Sequence, residues 1–130
     1  MVGETDLDKL LAQMRPSLLA CDFVFCTAAD SNYGDLAELK PLASFQETEG
    51  LTLVLEKPVA DEAGLNYDSV FRCITLKVHS SLSAVGLTAA VAGKLAASGI
   101  SANVIAAYFH DHVFVPAEKA QRALQLLAEV

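Results

Sequence analysis

The chain is 130 residues long, with sixteen acids against nine Lys and Arg, a formal net charge of −7 and a mean hydropathy of +0.39. That length allows one compact body, or two half-sized modules sharing a core, and excludes large multidomain architectures. The negative balance repels phosphate backbones, so nucleic acid is not an expected partner.

From the start, Leu7, Leu10, Leu11 and Met14 recur at helical spacing. They predict a helix over Asp6–Met14, with Thr5 as N-cap and Arg15-Pro16 as its stop. Leu18–Ala28 is apolar and rich in Val, Phe and Cys, which predicts a strand, and Ala29–Lys40 carries turn chemistry in Asp30-Ser-Asn-Tyr-Gly34-Asp. Ser44–Glu49 and Leu51–Glu56 read as a hairpin across Glu49-Gly50. Pro58 suits the first position of a helix that Gly64 closes. Ser69–Val78 alternates strictly between two faces and predicts a strand.

In the second half, Ala84, Leu87, Val91 and Leu95 form an apolar stripe and predict a helix over Ser83–Ser98, with Gly99-Ile100 as its C-cap. Ser101–Tyr108 and His112–Val115 predict two strands joined by a tip at Phe109–Asp111. Pro116 opens a last helix with Ala120, Ala123, Leu124 and Leu127 facing a sheet.

The charge is uneven: residues 1–65 hold twelve acids and four bases, and the remainder four acids and five bases. The acidic half reads as a solvated surface. No run reaches the roughly 20 apolar residues of a membrane-spanning helix. The first residues carry acid where a signal peptide carries Lys or Arg. A cytoplasmic protein without a membrane partner is expected. Cys21, Cys26 and Cys73 form no C-x-x-C pair and sit in strand-like runs, so buried free thiols are expected. His110-Asp-His112 straddles a turn and lacks an obvious third ligand, which disfavours a metal. Phosphate-loop, dinucleotide and nucleophile-elbow motifs are absent. No catalytic residue, metal or cofactor is assigned.

Both halves run hairpin, return strand, Pro, acidic first turn, helix, which suggests an internal duplication. The segment Ala84-Val-Gly-Leu-Thr-Ala-Ala-Val-Ala-Gly-Lys-Leu-Ala-Ala-Ser-Gly-Ile-Ser101, followed by Ala106-Ala-Tyr-Phe-His-Asp-His-Val-Phe-Val-Pro116, resembles the ACT domain. The whole order resembles the tandem ACT units of aspartokinases and of the cytosolic arginine sensor of the TOR pathway. The resemblance implies an α/β (α+β, ferredoxin-like) fold of two βαββαβ modules, with helices on one face of antiparallel sheets. A degenerate module would span 1–66 and an ACT domain 67–130. Ser69–Val78 would link them, and Leu18–Ala28 would fill the strand edge the second module lacks. Two departures stand out: Ala84-Val85-Gly86 replaces the Asp-Pro-Gly often seen entering the first ACT helix, and the kinase domain that aspartokinases carry ahead of their ACT pair is not expected here.

The implied function is non-catalytic, regulatory binding of an amino acid or similar small ligand in a homodimer or higher oligomer. A structural dimerisation or adaptor module without ligand is the alternative, and a small enzyme comes third. Residues and resemblance point to one corner: Ser81, Ser83, Ala84, Val85, Gly86 and Leu87 before and at a helix start, with Tyr108 and Asp111 at the facing hairpin tip. Unpaired N–H groups at the helix start suit a carboxylate. Asp111 either accepts from an α-amino group or shapes the turn. Tyr108 either walls the pocket or packs in a core or interface.

Overall fold

The computed structural model describes residues 6–77 and 85–129. In chain order it contains α1 (Leu7–Gln13), β1 (Pro16–Ala28), β2 (Ala43–Glu47), β3 (Gly50–Glu56), α2 (Lys57–Ala63), β4 (Phe71–Leu76), α3 (Leu87–Ala96), β5 (Asn103–Ala106), β6 (Asp111–Pro116) and α4 (Ala120–Ala128). Short 3-10 turns cover Ala37–Leu39 and Ala117–Lys119. The strands form a six-stranded antiparallel sheet in the order β2-β3-β1-β4-β6-β5, with helices packed on it, a mixed α/β, ferredoxin-like arrangement. Contacts divide the chain into two units, Met1–Ala20 with Arg72–Val130, and Cys21–Phe71. β1 starts in the first unit and ends in the second.

In the first unit, period-2 alternation puts Ile74 and Leu76 of β4, and Val113 and Val115 of β6, on the face that the helices cover. Leu87, Val91 and Leu95 of α3, spaced four apart, complete that core with Ala120, Ala123, Leu126 and Leu127 of α4. Burying each such Leu or Val contributes about 1.5–3 kcal/mol. After α3, Gly99 adopts φ +72, and Ile100 N–H donates to the Leu95 carbonyl at 3.0 Å while its side chain turns into the core. Leu11 and Met14 pack against the same cluster from α1 and the residue after it. The Asp6 side chain caps α1 by accepting from Lys9 N–H at 3.3 Å. The cap expected at Thr5 lies outside the described residues. β4 is tied to the start of β1 by the Arg72 guanidinium, whose Nη2 and Nε donate to the Leu19 carbonyl at 2.6 and 3.2 Å.

In the second unit, β1 pairs with β3 from Phe23↔Glu56 to Ala28↔Leu51, and β3 pairs with β2 from Ala43↔Val54 to Glu47↔Gly50. Val24, Cys26, Leu51, Leu53 and Leu55 bury one face of this ladder against Ala60 of α2. Gly50 closes the hairpin at φ +148, where a Cβ would meet the Ala28 carbonyl oxygen at 2.7 Å, so only glycine fits. Pro58 lies in the first turn of α2, and Gly64 ends it at φ +72.

Several element boundaries differ from the sequence expectation. The helix expected over Ser83–Ser98 is Leu87–Ala96, because Gly86 stands at φ +99 and cannot continue a right-handed helix. β4 and β5 are shorter than predicted, Phe71–Leu76 and Asn103–Ala106. Asp111 is the first residue of β6 and not part of the tip, since Ala107 N–H donates to the His110 carbonyl at 3.0 Å and closes the turn one residue earlier. Pro116 ends β6, and a 3-10 turn separates it from α4. Among the described residues, no helix is long and apolar enough to cross a membrane.

Candidate ligand-binding corner

In the first unit, the Thr75 hydroxyl lies 3.0 Å from His112 Nδ1, with Thr75 buried on the face of β4 opposite Ile74 and Leu76. This contact sets the C-terminal end of β4 beside the N-terminal end of β6. Of the expected residues, Asp111 and Tyr108 belong to this end of the unit's sheet. Asp111, with only 6% of its surface exposed, is one of two buried polar or charged residues among those described. Burial pushes its carboxyl above the usual carboxylate range, against the opposing fields of His112 and then His110. Burial also pulls His112 below the usual imidazole range, helped by His110 and countered by Asp111. His110 Nδ1 is buried without a hydrogen-bond partner.

The turn that precedes Asp111 carries exposed aromatic residues. Tyr108 and Phe109 form an edge-to-face pair with centroids 5.0 Å apart, and both are more than half exposed. Val85 is 84% exposed. Gly86 is the N-cap of α3 and supplies no side-chain cap, so the first N–H groups of this ten-residue helix receive no bond from it. Leu87 faces the core, leaving only its backbone for a ligand. Ser81, Ser83 and Ala84 lie outside the described residues. Of the expected residues, Val85, Gly86, Leu87, Tyr108 and Asp111 fall in the described structure, all in the first unit: the first three at the start of α3, Tyr108 in the turn before β6 and Asp111 at its head.

Two family models match the chain in tandem, both described as ACT domain, over residues 2–72 and 68–129. The chain belongs to the ACT domain family. A solved structure from Vibrio cholerae, a protein of unknown function described as a possible transport protein, is 58% identical. The match covers 95% of this chain and 94% of that one, with a TM-score of 0.86. The regulatory subunit of aspartate kinase from Thermus thermophilus is 14% identical, with 88% and 94% coverage and a TM-score of 0.63. A chain from the structure of aspartokinase alpha and beta subunits is 12% identical, with 94% and 97% coverage and a TM-score of 0.67. The last two establish likeness of fold. Among curated proteins no sequence matches. The chain is thus a tandem of ACT domains, a regulatory type of domain.

Reading the ACT pair from sequence alone missed Thr75, which appears there only as one letter of an alternating strand. Its burial opposite His112 follows from sheet pairing, which the local pattern does not carry. The second unit also holds two clefts that no motif announced. One, of about 410 Å³, lies between Glu38–Lys40 and α2, with Glu56 and Glu62 on its walls. The other, of about 320 Å³, lies between β1, β3 and the segment Asn66–Asp68. Among the described residues no group of three or more His, Cys, Asp or Glu is placed to hold a metal. None of the three cysteines is in a disulfide; Cys26 and Cys73 are buried, and Cys21 is partly exposed with its thiol donating to Glu56 at 3.4 Å. Burial pushes the Cys73 thiol up to about 11, so it stays a protonated thiol at neutral pH and is a poor nucleophile.

Proposed function

We infer that this chain is a non-catalytic regulatory protein whose two ACT domains, dividing near residues 66 and 67, report the binding of an amino acid. Its setting is the cytoplasm, and its form a homodimer or higher oligomer. The ligand contacts are Ser81, Ser83, Ala84, Val85, Gly86, Leu87, Tyr108 and Asp111. The observation that carries this reading is Asp111, a carboxyl kept at 6% exposure at the head of β6, beside an aromatic pair that stays open to solvent. Burying an ionisable group is costly, and that cost is recovered when a cation reaches it. An α-ammonium is such a cation. The start of α3, capped by a residue with no side chain, offers backbone N–H groups to the α-carboxylate of the same molecule. Tyr108 supplies a ring for the ligand's side chain. Binding would be transmitted by altered self-association or partner affinity, in proportion to its preference for one assembly over the other.

The exposed aromatic pair Tyr108 and Phe109 favours one rival, a dimerisation or adaptor module without ligand. Calorimetric titration with the twenty amino acids separates the two. The sensor reading expects saturable heat for one or a few amino acids. That heat is lost in Asp111→Ala and in Gly86→Val, while circular dichroism shows both variants folded. Absence of heat at millimolar ligand from every amino acid rejects the sensor and leaves the adaptor.

A further inference from the structure

The 320 Å³ cleft in the second unit is a separate place in the fold, far along the chain from Asp111, and its walls are individually fixed. Phe25 and Thr27 lie two apart on β1 and so share a face. Thr52 of β3 stands directly opposite Thr27 in the ladder and joins them there. Phe25 is held edge-to-face by Phe71, with centroids 5.3 Å apart. Thr52 donates its hydroxyl hydrogen to Glu47. Cys26, on the other face of β1, and Tyr67 also line the cleft; the Tyr67 hydroxyl donates to Asp61 at 2.7 Å, and Tyr67 packs against the core under α2. Lys57 also bonds Asp61, at 3.0 Å, and sits 6.0 Å from the centre of the Tyr67 ring. The turn that leads to Tyr67 is fixed by Gly64, with Leu65 N–H donating to the Ala60 carbonyl at 3.0 Å.

The remaining polar groups on the lining are different. Among the described residues, no side-chain hydrogen bond engages the exposed Thr27, Asn66 or Asp68, and Asp68 is the only Asp, Glu, Lys, Arg or His on the lining. The nearby Lys57 charge is matched by Asp61. The cleft therefore carries one uncompensated negative charge, an aromatic wall, and a free hydroxyl and amide. Its volume lies at the small end of ligand pockets. A carboxylate-bearing molecule would meet Asp68 with no cation to offset it.

We propose that this cleft is a second ligand site, which binds a small organic ammonium lacking a carboxylate through Asp68, with Thr27 and Asn66 bonding its polar substituents and Phe25 covering its carbon body. The ammonium forms a charge-assisted bond to Asp68, and the Phe25 ring adds a contact that an alcohol of the same size cannot use as a cation.

The test is amide-resolved NMR of the full chain titrated with ethanolamine, putrescine and phenethylamine, with ethylene glycol and glycolate as uncharged and anionic controls. Saturable shifts of the Thr27 and Asn66–Asp68 signals are expected for the amines and not for the controls. Asp68→Asn should weaken amine binding by about tenfold or more, given what a charge-assisted bond contributes, and Thr27→Val should weaken it less. Glu118→Gln, at an exposed acid of the first unit, should leave it unchanged. The proposal is overturned if the shifts never saturate, if glycolate competes equally, or if Asp68→Asn binds as well as the parent. Because Asp111 lies in the other unit, Asp111→Ala should not alter the amine response. Failure here therefore leaves the amino-acid reading standing, and failure there leaves this one standing.

Discussion

The two units solve one packing problem with different amounts of helix. In the first, α3 and α4 lie together over the sheet, and an apolar stripe four residues apart does most of the covering. In the second, where the duplicated order would place the partner of α3, the chain has only the three-residue turn Ala37–Leu39. Two half-buried leucines there, Leu36 and Leu39, pack against the core in place of a helix face. They hold their positions because the turn is bracketed by left-handed residues, Leu36 at φ +63 and Lys40 at φ +52. A module can thus keep its strand order after losing a helix if the backbone accepts strain at both ends of the replacement.

Large-to-small substitutions give the widest separation between the units. Leu95 is fully buried between helix and sheet, so Leu95→Ala should cost about 2–5 kcal/mol. Leu39 is only half-buried, and Leu39→Ala should cost about 1 kcal/mol. Urea unfolding of both variants measures the contrast. Equal costs would mean that the turn in the second unit carries as much of the core as a full helix, and would break the comparison.

Backbone substitutions sharpen it, with a difference of sign. Lys40→Gly should stabilise the protein by about 1 kcal/mol, because glycine removes the penalty of a left-handed residue. Lys94→Gly inside α3 should destabilise by about the same amount, through lost helix propensity. Thermal melts read both. If Lys40→Gly also destabilises, the lysine side chain contributes contacts that outweigh its strain.

What the sequence made legible follows the same division. The stripe of α3, the alternation of β4, the two hairpins, Pro58 and the glycines at 64 and 99 are local signals, and each appears in the structure within a few residues of its expected place. The strain at Leu36 and Lys40 was invisible, because neither residue type advertises a positive φ. The start of α3 differs because Ser81 and Ser83 before an apolar stripe look like a cap in the sequence, whereas Gly86 takes that position. Asp111 was named as a candidate, yet its burial was not foreseen. An acid beside a turn normally faces water, and only the pairing of β6 within the sheet encloses this one.

The smallest expected difference is in the response to acid. His112 titrates below its ordinary 6.5 because burial disfavours the imidazolium. The unfolded chain therefore takes up that proton first, and its contribution to stability, constant above 6.5, falls as the pH drops toward the lowered native value. Asp111 acts in the opposite sense. Its carboxyl is raised above 3.8, so the native state holds that proton longer, and stability falls as pH rises through the window between those values. In the second unit, Asp61 is lowered from 3.8, chiefly by the Tyr67 hydroxyl and then by Lys57. Its contribution is intact above 3.8 and is lost only as the pH falls further. Hydrogen exchange between 6.5 and 3.8 should therefore show protection changing in β4 and β6 while β2, β3 and α2 hold steady. His112→Gln should remove the fall just below 6.5. Asp111→Asn should steepen the net fall across the window by deleting the opposing contribution, with melting temperatures shifting by about a few °C in each case. Equal loss of protection in both units would show that the His112–Thr75 pair does not distinguish them, and that acid sensitivity belongs to the sheet as a whole.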